Sequence, residues 1–109
     1  MISTLVIDST AGEAAVGVTV ILQLRQASEW VPVGRGVTDG KGRANLTEGK
    51  LALGTYRLTF DIAAYHREHG IEIPFFPEVK VAFLVRDADE HYHVPLLLSP
   101  FGYTIYRER

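Results

Sequence analysis

Cysteine is absent from the 109 residues, which excludes disulfide frameworks and thiolate sites for metals or nucleophilic attack. No stretch approaches the ~18–20 apolar residues that a membrane-spanning helix needs, so no membrane is expected as a partner. Neither sign of charge dominates: 11 Lys and Arg stand against 13 Asp and Glu, for a net charge of −2. The basic residues are scattered, without the clustered face that nucleic acid requires as a partner. The opening Met1-Ile2-Ser3-Thr4 lacks a basic region leading into an apolar run, so no signal peptide is read there. Together these absences predict a soluble, cytoplasmic protein. Phosphate-cradling glycine loops, nucleotide fingerprints and a Ser/His/Asp order are also missing, and no cofactor is expected.

What is present is apolar and strand-forming. Hydrophobic residues make up 47% and charged residues only 22% of the chain, a balance that points to a buried subunit interface. The length sets a single domain over residues 1–109. Strand signals cover Ile2–Ile7, Gly17–Arg25, Trp30–Gly36, Arg43–Leu46, Thr55–Phe60, Val79–Val85, Tyr92–Leu98 and Gly102–Arg107. Alternation puts Val18, Val20, Leu22 and Leu24 on one face, and Tyr56, Leu58 and Phe60 on another. Between Asp61 and His69 the alternation stops, Ala63-Ala64 favours helix, and Gly70 ends it. The expected architecture is all-β, a two-sheet sandwich of about eight strands with one short helix.

The stretch His91-Tyr92-His93-Val94-Pro95-Leu96-Leu97-Leu98-Ser99 carries the most information. A period of two turns His91 and His93 away from the face that holds Tyr92, Val94, Leu96 and Leu98. Pro95, without an N–H, suits an edge or irregular position. An isolated His-x-His lacks a third ligand at metal spacing, so no metal site is expected. On spacing alone the pair fits either a solvated strand face or general acid–base work near neutral pH. Arg43 follows the turn Asp39-Gly40-Lys41-Gly42, where Asp39 reads as satisfying backbone N–H groups. By spacing alone Arg43 is a hairpin charge and Arg107 a terminal one. His66 and His69 read as solvent-facing on the helix, and Trp30 as packing in the core or an interface.

Three separated segments resemble the transthyretin-related family, in particular its 5-hydroxyisourate hydrolases. They are His91 through Arg107, Thr38-Asp39-Gly40-Lys41-Gly42-Arg43, and Phe75-Phe76-Pro77-Glu78-Val79. The resemblance implies a transthyretin-like (prealbumin-like) sandwich that assembles as a homotetramer, a dimer of dimers, with sites in a channel between dimers. It also implies ring-opening hydrolysis of 5-hydroxyisourate, a small urate-derived ureide, to a ureido-imidazoline carboxylate in purine degradation. Carried over residue by residue, the family's site places His93, Arg43 and Arg107 as catalytic, with Tyr106 and the first-strand position Leu5 beside the substrate. The chain departs from the family at three places: the family's first-strand His is Leu5, its Gly-x-Pro-Ala turn is Gly12-Glu13-Ala14-Ala15, a milder change, and its terminal Gly-Ser is Glu108-Arg109. The first and last of those departures support an alternative, a catalytically silent transthyretin-like protein that holds a small ligand in its channel.

Overall fold

Apolar alternation builds two sheets that close on each other. The computed structural model describes residues 1–109. Its elements follow in the order β1 (Ile2–Asp8), β2 (Glu13–Ala14), β3 (Thr19–Gln26), β4 (Glu29–Val37), β5 (Arg43–Thr47), β6 (Gly54–Asp61), α1 (Ile62–Glu68), β7 (Glu78–Val85), β8 (Tyr92–Ser99) and β9 (Gly102–Ile105). One sheet has the order β4-β3-β6-β7; the other runs β2-β1-β8-β9, with β5 also paired to β1. Nine strands therefore stand where eight were expected. The extra one, β2, is two residues long and pairs only Ile7 with Ala14 and Asp8 with Glu13. Two residues cannot show an alternation, which is why it leaves no signal in the sequence.

The residues expected to point inward do so. Val20, Leu22, Leu58, Phe60 and Leu96 are fully buried, within a core of 21 apolar residues between the sheets. Each such side chain contributes roughly 1.5–3 kcal/mol by leaving water. The two sheets pack tightly where Gly34 on β4 meets β5: a Cβ there would collide with the Leu46 carbonyl, so only glycine fits.

Two pairings of β1 position the site. Along one side β1 runs parallel to β8, setting Ser3 beside His93 and Leu5 beside Pro95. Along the other it runs antiparallel to β5, setting Ser3 opposite Asn45 and Leu5 opposite Arg43. Ile2, Thr4 and Val6 turn inward, so Ser3, Leu5, Arg43, Asn45 and His93 share the outer face of this sheet.

Pro95 lies in an interior strand, not at an edge. Its carbonyl accepts from Tyr106 N–H at 3.4 Å, so its nitrogen also faces the β9 side, just beyond Ile105 where that ladder stops. The regular pairing breaks there, between the Leu96–Ile105 pair and the isolated His93–Glu108 bridge, an irregular position that suits proline.

The helix differs from expectation on one face. Asp61 caps it by accepting from Ala64 N–H at 3.5 Å. Ile62, Tyr65 and His66 are buried, the i, i+3, i+4 stripe that a helix turns toward a core. His66 is thus 3% exposed rather than solvated. Trp30 sits half-buried on β4, with the guanidinium of Arg57 at 4.5 Å and that of Arg25 at 5.8 Å from its ring centre. It serves as a platform for two cations rather than as core packing.

Candidate active site

A cavity of about 490 Å³ opens on the outer face of the β1–β8 sheet, lined by Ser3, Leu5, Arg43, His91, His93 and Glu108. Met1, Thr4, Asn45 and Arg109 complete its wall. Two of the residues expected to be catalytic, His93 and Arg43, are brought together here, and Leu5 stands between them in the β1 register.

The turn before β5 explains how Arg43 is held. Asp39 Oδ1 accepts from Lys41 N–H at 2.9 Å and from Arg43 N–H at 3.1 Å, and these N–H groups keep its carboxyl below the usual carboxylate range. Gly42 has φ +77°, and a Cβ on it would lie 2.5 Å from the Val6 carbonyl oxygen. A side chain at position 42 is therefore excluded both by conformation and by space. The turn presses its backbone on β1 and launches Arg43 into the cavity.

His93 occupies the middle of the site, its side chain 17% exposed. Its Nδ1 lies 2.7 Å from Ser3 Oγ, which lies 2.7 Å from His91 Nε2. Its Nε2 lies 4.0 Å from a Glu108 carboxylate oxygen. Burial pushes the imidazole below the ordinary value of 6.5; Glu108 opposes this, while His91 and Arg43 add to it. At neutral pH the ring is therefore uncharged and free to accept a proton.

Arg107 and Tyr106 lie elsewhere within the protomer. Beyond Ile105 the tail continues antiparallel to β8, and Glu108 N–H donates to the His93 carbonyl at 3.0 Å. With a period of two, Glu108 then shares the face of His93, while Arg107 shares the face of Tyr92 and Val94. The Arg107 guanidinium accordingly sits 4.3 Å from the Tyr92 ring centre and donates to Glu90 Oε1 at 2.8 Å. Both residues line a separate apolar depression of about 200 Å³ with Phe83, Leu84, Val94 and Ile105. Arg109 donates to the same Glu90 oxygen at 3.1 Å while also lining the main cavity.

Ser3 is the site residue that sequence reasoning missed. Alternation marks it as outward on β1, but only the parallel pairing with β8, formed across the whole length of the chain, sets it between the two histidines.

At the far end of β1 a second polar cluster forms. Asp8 Oδ1 accepts from Thr10 and Ala11 N–H at 3.1 Å each, and Oδ2 accepts from the Tyr65 hydroxyl at 2.8 Å. Burial raises the Asp8 pKa, but these donors outweigh it and hold the carboxyl below 3.8. His66 beside it is pushed below 6.5 by burial, against the pull of Asp8. No group of three or more His, Cys, Asp or Glu is arranged to hold a metal ion, and no helix is long and apolar enough to cross a membrane.

Comparison with known proteins adds a lineage to this geometry. The model of the HIUase/Transthyretin family matches residues 2–108. A probable 5-hydroxyisourate hydrolase of Caenorhabditis elegans is 40% identical over 108 residues, covering 97% of this chain and 79% of that protein. The structure of Klebsiella pneumoniae 5-hydroxyisourate hydrolase superposes with a TM-score of 0.85 at 29% identity, over 99% of this chain and 98% of that one. Sea bream transthyretin in complex with thyroxine superposes with a TM-score of 0.90 at 32% identity, over 98% and 93% of the two chains.

Proposed function

The chain belongs to the HIUase/Transthyretin family, and on that premise we propose that it hydrolyses 5-hydroxyisourate to 2-oxo-4-hydroxy-4-carboxy-5-ureidoimidazoline. The observation that carries this reading is a neutral, recessed His93 sharing one cavity with Arg43, in a chain whose relatives bear that activity in their names.

The chemistry follows from the two side chains. His93 takes a proton from a water molecule as its oxygen attacks a ring carbonyl carbon, and the ring C–N bond then breaks. Arg43 offers paired donors to the planar substrate and to the charge that builds on the carbonyl oxygen. Leu5, where the family has histidine, supplies an apolar wall of the cavity and no second base on β1. The single imidazole of His93 then serves as the base.

Arg107 and Tyr106 take part through the tail. Anchored on Glu90 and Tyr92, Arg107 holds the terminal segment so that Glu108 and Arg109 reach the cavity. We assign the protein to a cytoplasmic homotetramer, a dimer of dimers in which this outer face is covered by a neighbouring protomer.

Generating 5-hydroxyisourate in situ from urate and following its ultraviolet decay tests the proposal. Decay faster with the protein than without it, and slowed again in His93→Ala, is the expected result. A folded wild type that leaves the decay unchanged overturns the reading and favours a silent carrier of small ligands.

A further inference from the structure

Ser3 joins two imidazoles that do not reach each other. The His91 and His93 rings stand 6.0 Å apart between centres, and the Ser3 hydroxyl spans them with two contacts of 2.7 Å and no other hydrogen-bond partner. The three groups also form a gradient of access. Ser3 is 4% exposed, His93 is half-buried against the cavity, and His91 opens to solvent.

A hydroxyl carries one proton, so it donates to one ring nitrogen and accepts from the other. In the first arrangement His93 Nδ1–H donates to Ser3 Oγ, and the Ser3 hydroxyl donates to His91 Nε2. His93 Nε2 is then an open lone pair on the side of Glu108 and the cavity. In the second, His91 Nε2–H donates to Ser3 Oγ, the hydroxyl donates to His93 Nδ1, and His93 Nε2 carries a hydrogen. Only the first can act as a base toward the cavity.

We propose that Ser3 is a positioning residue that relays a proton from His93 to solvent-exposed His91 during hydrolysis, a role that rests on the hydrolase reading above. The two arrangements are the states before and after one transfer. As the water oxygen bonds to the carbonyl carbon, its proton goes to His93 Nε2. The Nδ1 proton passes to Ser3 Oγ, and the hydroxyl's own proton passes to His91 Nε2. His91 is then an imidazolium that exchanges with solvent through Nδ1. The departing ring nitrogen takes back one proton by the same path, so the hydrolysis consumes one water and leaves the three residues as they began. The relay keeps His93 neutral throughout, beside an Arg43 guanidinium that disfavours a second positive charge. Arg43, Arg109, Glu108 and the Met1 amino group are the charges facing the same cavity.

The test uses the full-length wild type, Ser3→Ala and Ser3→Thr, with two readouts. The first is the ¹⁵N shifts of the His91 and His93 rings across pH, taken without substrate. The second is kcat and KM from the ultraviolet decay of 5-hydroxyisourate. In the wild type the shifts should show His93 as the Nδ1–H tautomer with Nε2 bare, as the first arrangement requires; in Ser3→Ala that preference should be lost. In Ser3→Ala kcat should fall by ~10²-fold, the lower end of what a positioned proton transfer contributes, with KM nearly unchanged. Ser3→Thr, which keeps the hydroxyl, should recover both the tautomer preference and most of kcat. A Ser3→Ala protein with kcat within about twofold of wild type, or with ring shifts unchanged, overturns the relay. A wild type that does not accelerate the decay while His93 keeps its Nδ1–H tautomer overturns the hydrolase reading and leaves the Ser3 link standing.

Discussion

His93 is held as a neutral imidazole by where β8 puts it: recessed on the sheet's outer face, with His91 and Arg43 adding to the effect of burial. In the proposed mechanism its lowered pKa sets the pH dependence of the reaction. The base is available above its folded value and is lost as it protonates, so kcat/KM should be level through neutral pH and decline only below 6.5. A profile that declines from pH 8 downward would contradict a lowered pKa. His93→Ala should reduce kcat by ~10²–10⁴-fold. Arg43→Lys retains the charge but loses the paired donors, and should cost ~10²-fold in kcat/KM. Both effects are read from the same decay assay. Arg43 also shows what single residues disclose: its turn is legible from Asp39 and Gly42, whereas its approach to His93 depends on β1 lying between β5 and β8.

At the scale of elements, β1 is the organiser, carrying Ser3 and Leu5 at one end and Asp8 at the other. The Asp8–Tyr65 hydrogen bond ties it to α1, and Tyr65→Phe, which leaves a buried carboxylate short of a donor, should destabilise the fold by ~1–3 kcal/mol in urea denaturation. Acid should act on this junction in two stages. The His66 pKa is lowered in the folded state, so the unfolded chain binds its proton first. Its stabilisation is complete above 6.5 and is lost as pH falls through the folded value. Asp8 behaves alike from 3.8 downward. Unfolding midpoints measured from pH 7 to 3 should therefore fall in the first interval as well as the last, and a midpoint level down to pH 4.5 would contradict the burial of His66. The tail is an element of its own. Arg107→Ala removes the tail's contact with Tyr92 and one of its two ties to Glu90, and should raise KM more than it lowers kcat. Strand positions and inward faces were legible from alternation because that signal is local. The placement of Arg107 was not, because a tail beyond the last strand keeps the parity of its ladder, and that parity sends Arg107 to the face opposite His93. Pro95 was legible as an irregular position: it sits where the regular β8–β9 pairing breaks, between Leu96–Ile105 and the His93–Glu108 bridge.

For the whole molecule, the apolar composition has a visible counterpart on the surface. β7 and β9 are unpaired sheet edges, and Leu84 and Tyr103 on them are exposed. Near them Ile73 is 89% and Phe101 80% exposed, with Phe75, Phe76 and Tyr103 forming an aromatic cluster. Open edges flanked by aromatic surface favour association, and light scattering should report about four times the 12.1 kDa chain mass. A monomer at micromolar concentration would contradict the tetramer and the channel built on it. The fold itself was legible because its core is written in strict alternation, while the count of strands, the parallel β1–β8 pairing and the buried His66 required contacts that no local pattern encodes. The central step is the opening of the 5-hydroxyisourate ring in this cavity, with the neutral His93 imidazole as the proposed base. Its most direct measurement is the ultraviolet decay of that compound with wild type and with His93→Ala. Acceleration by the wild type that disappears in the variant is the predicted result; equal decay with either protein, or with none, would contradict it.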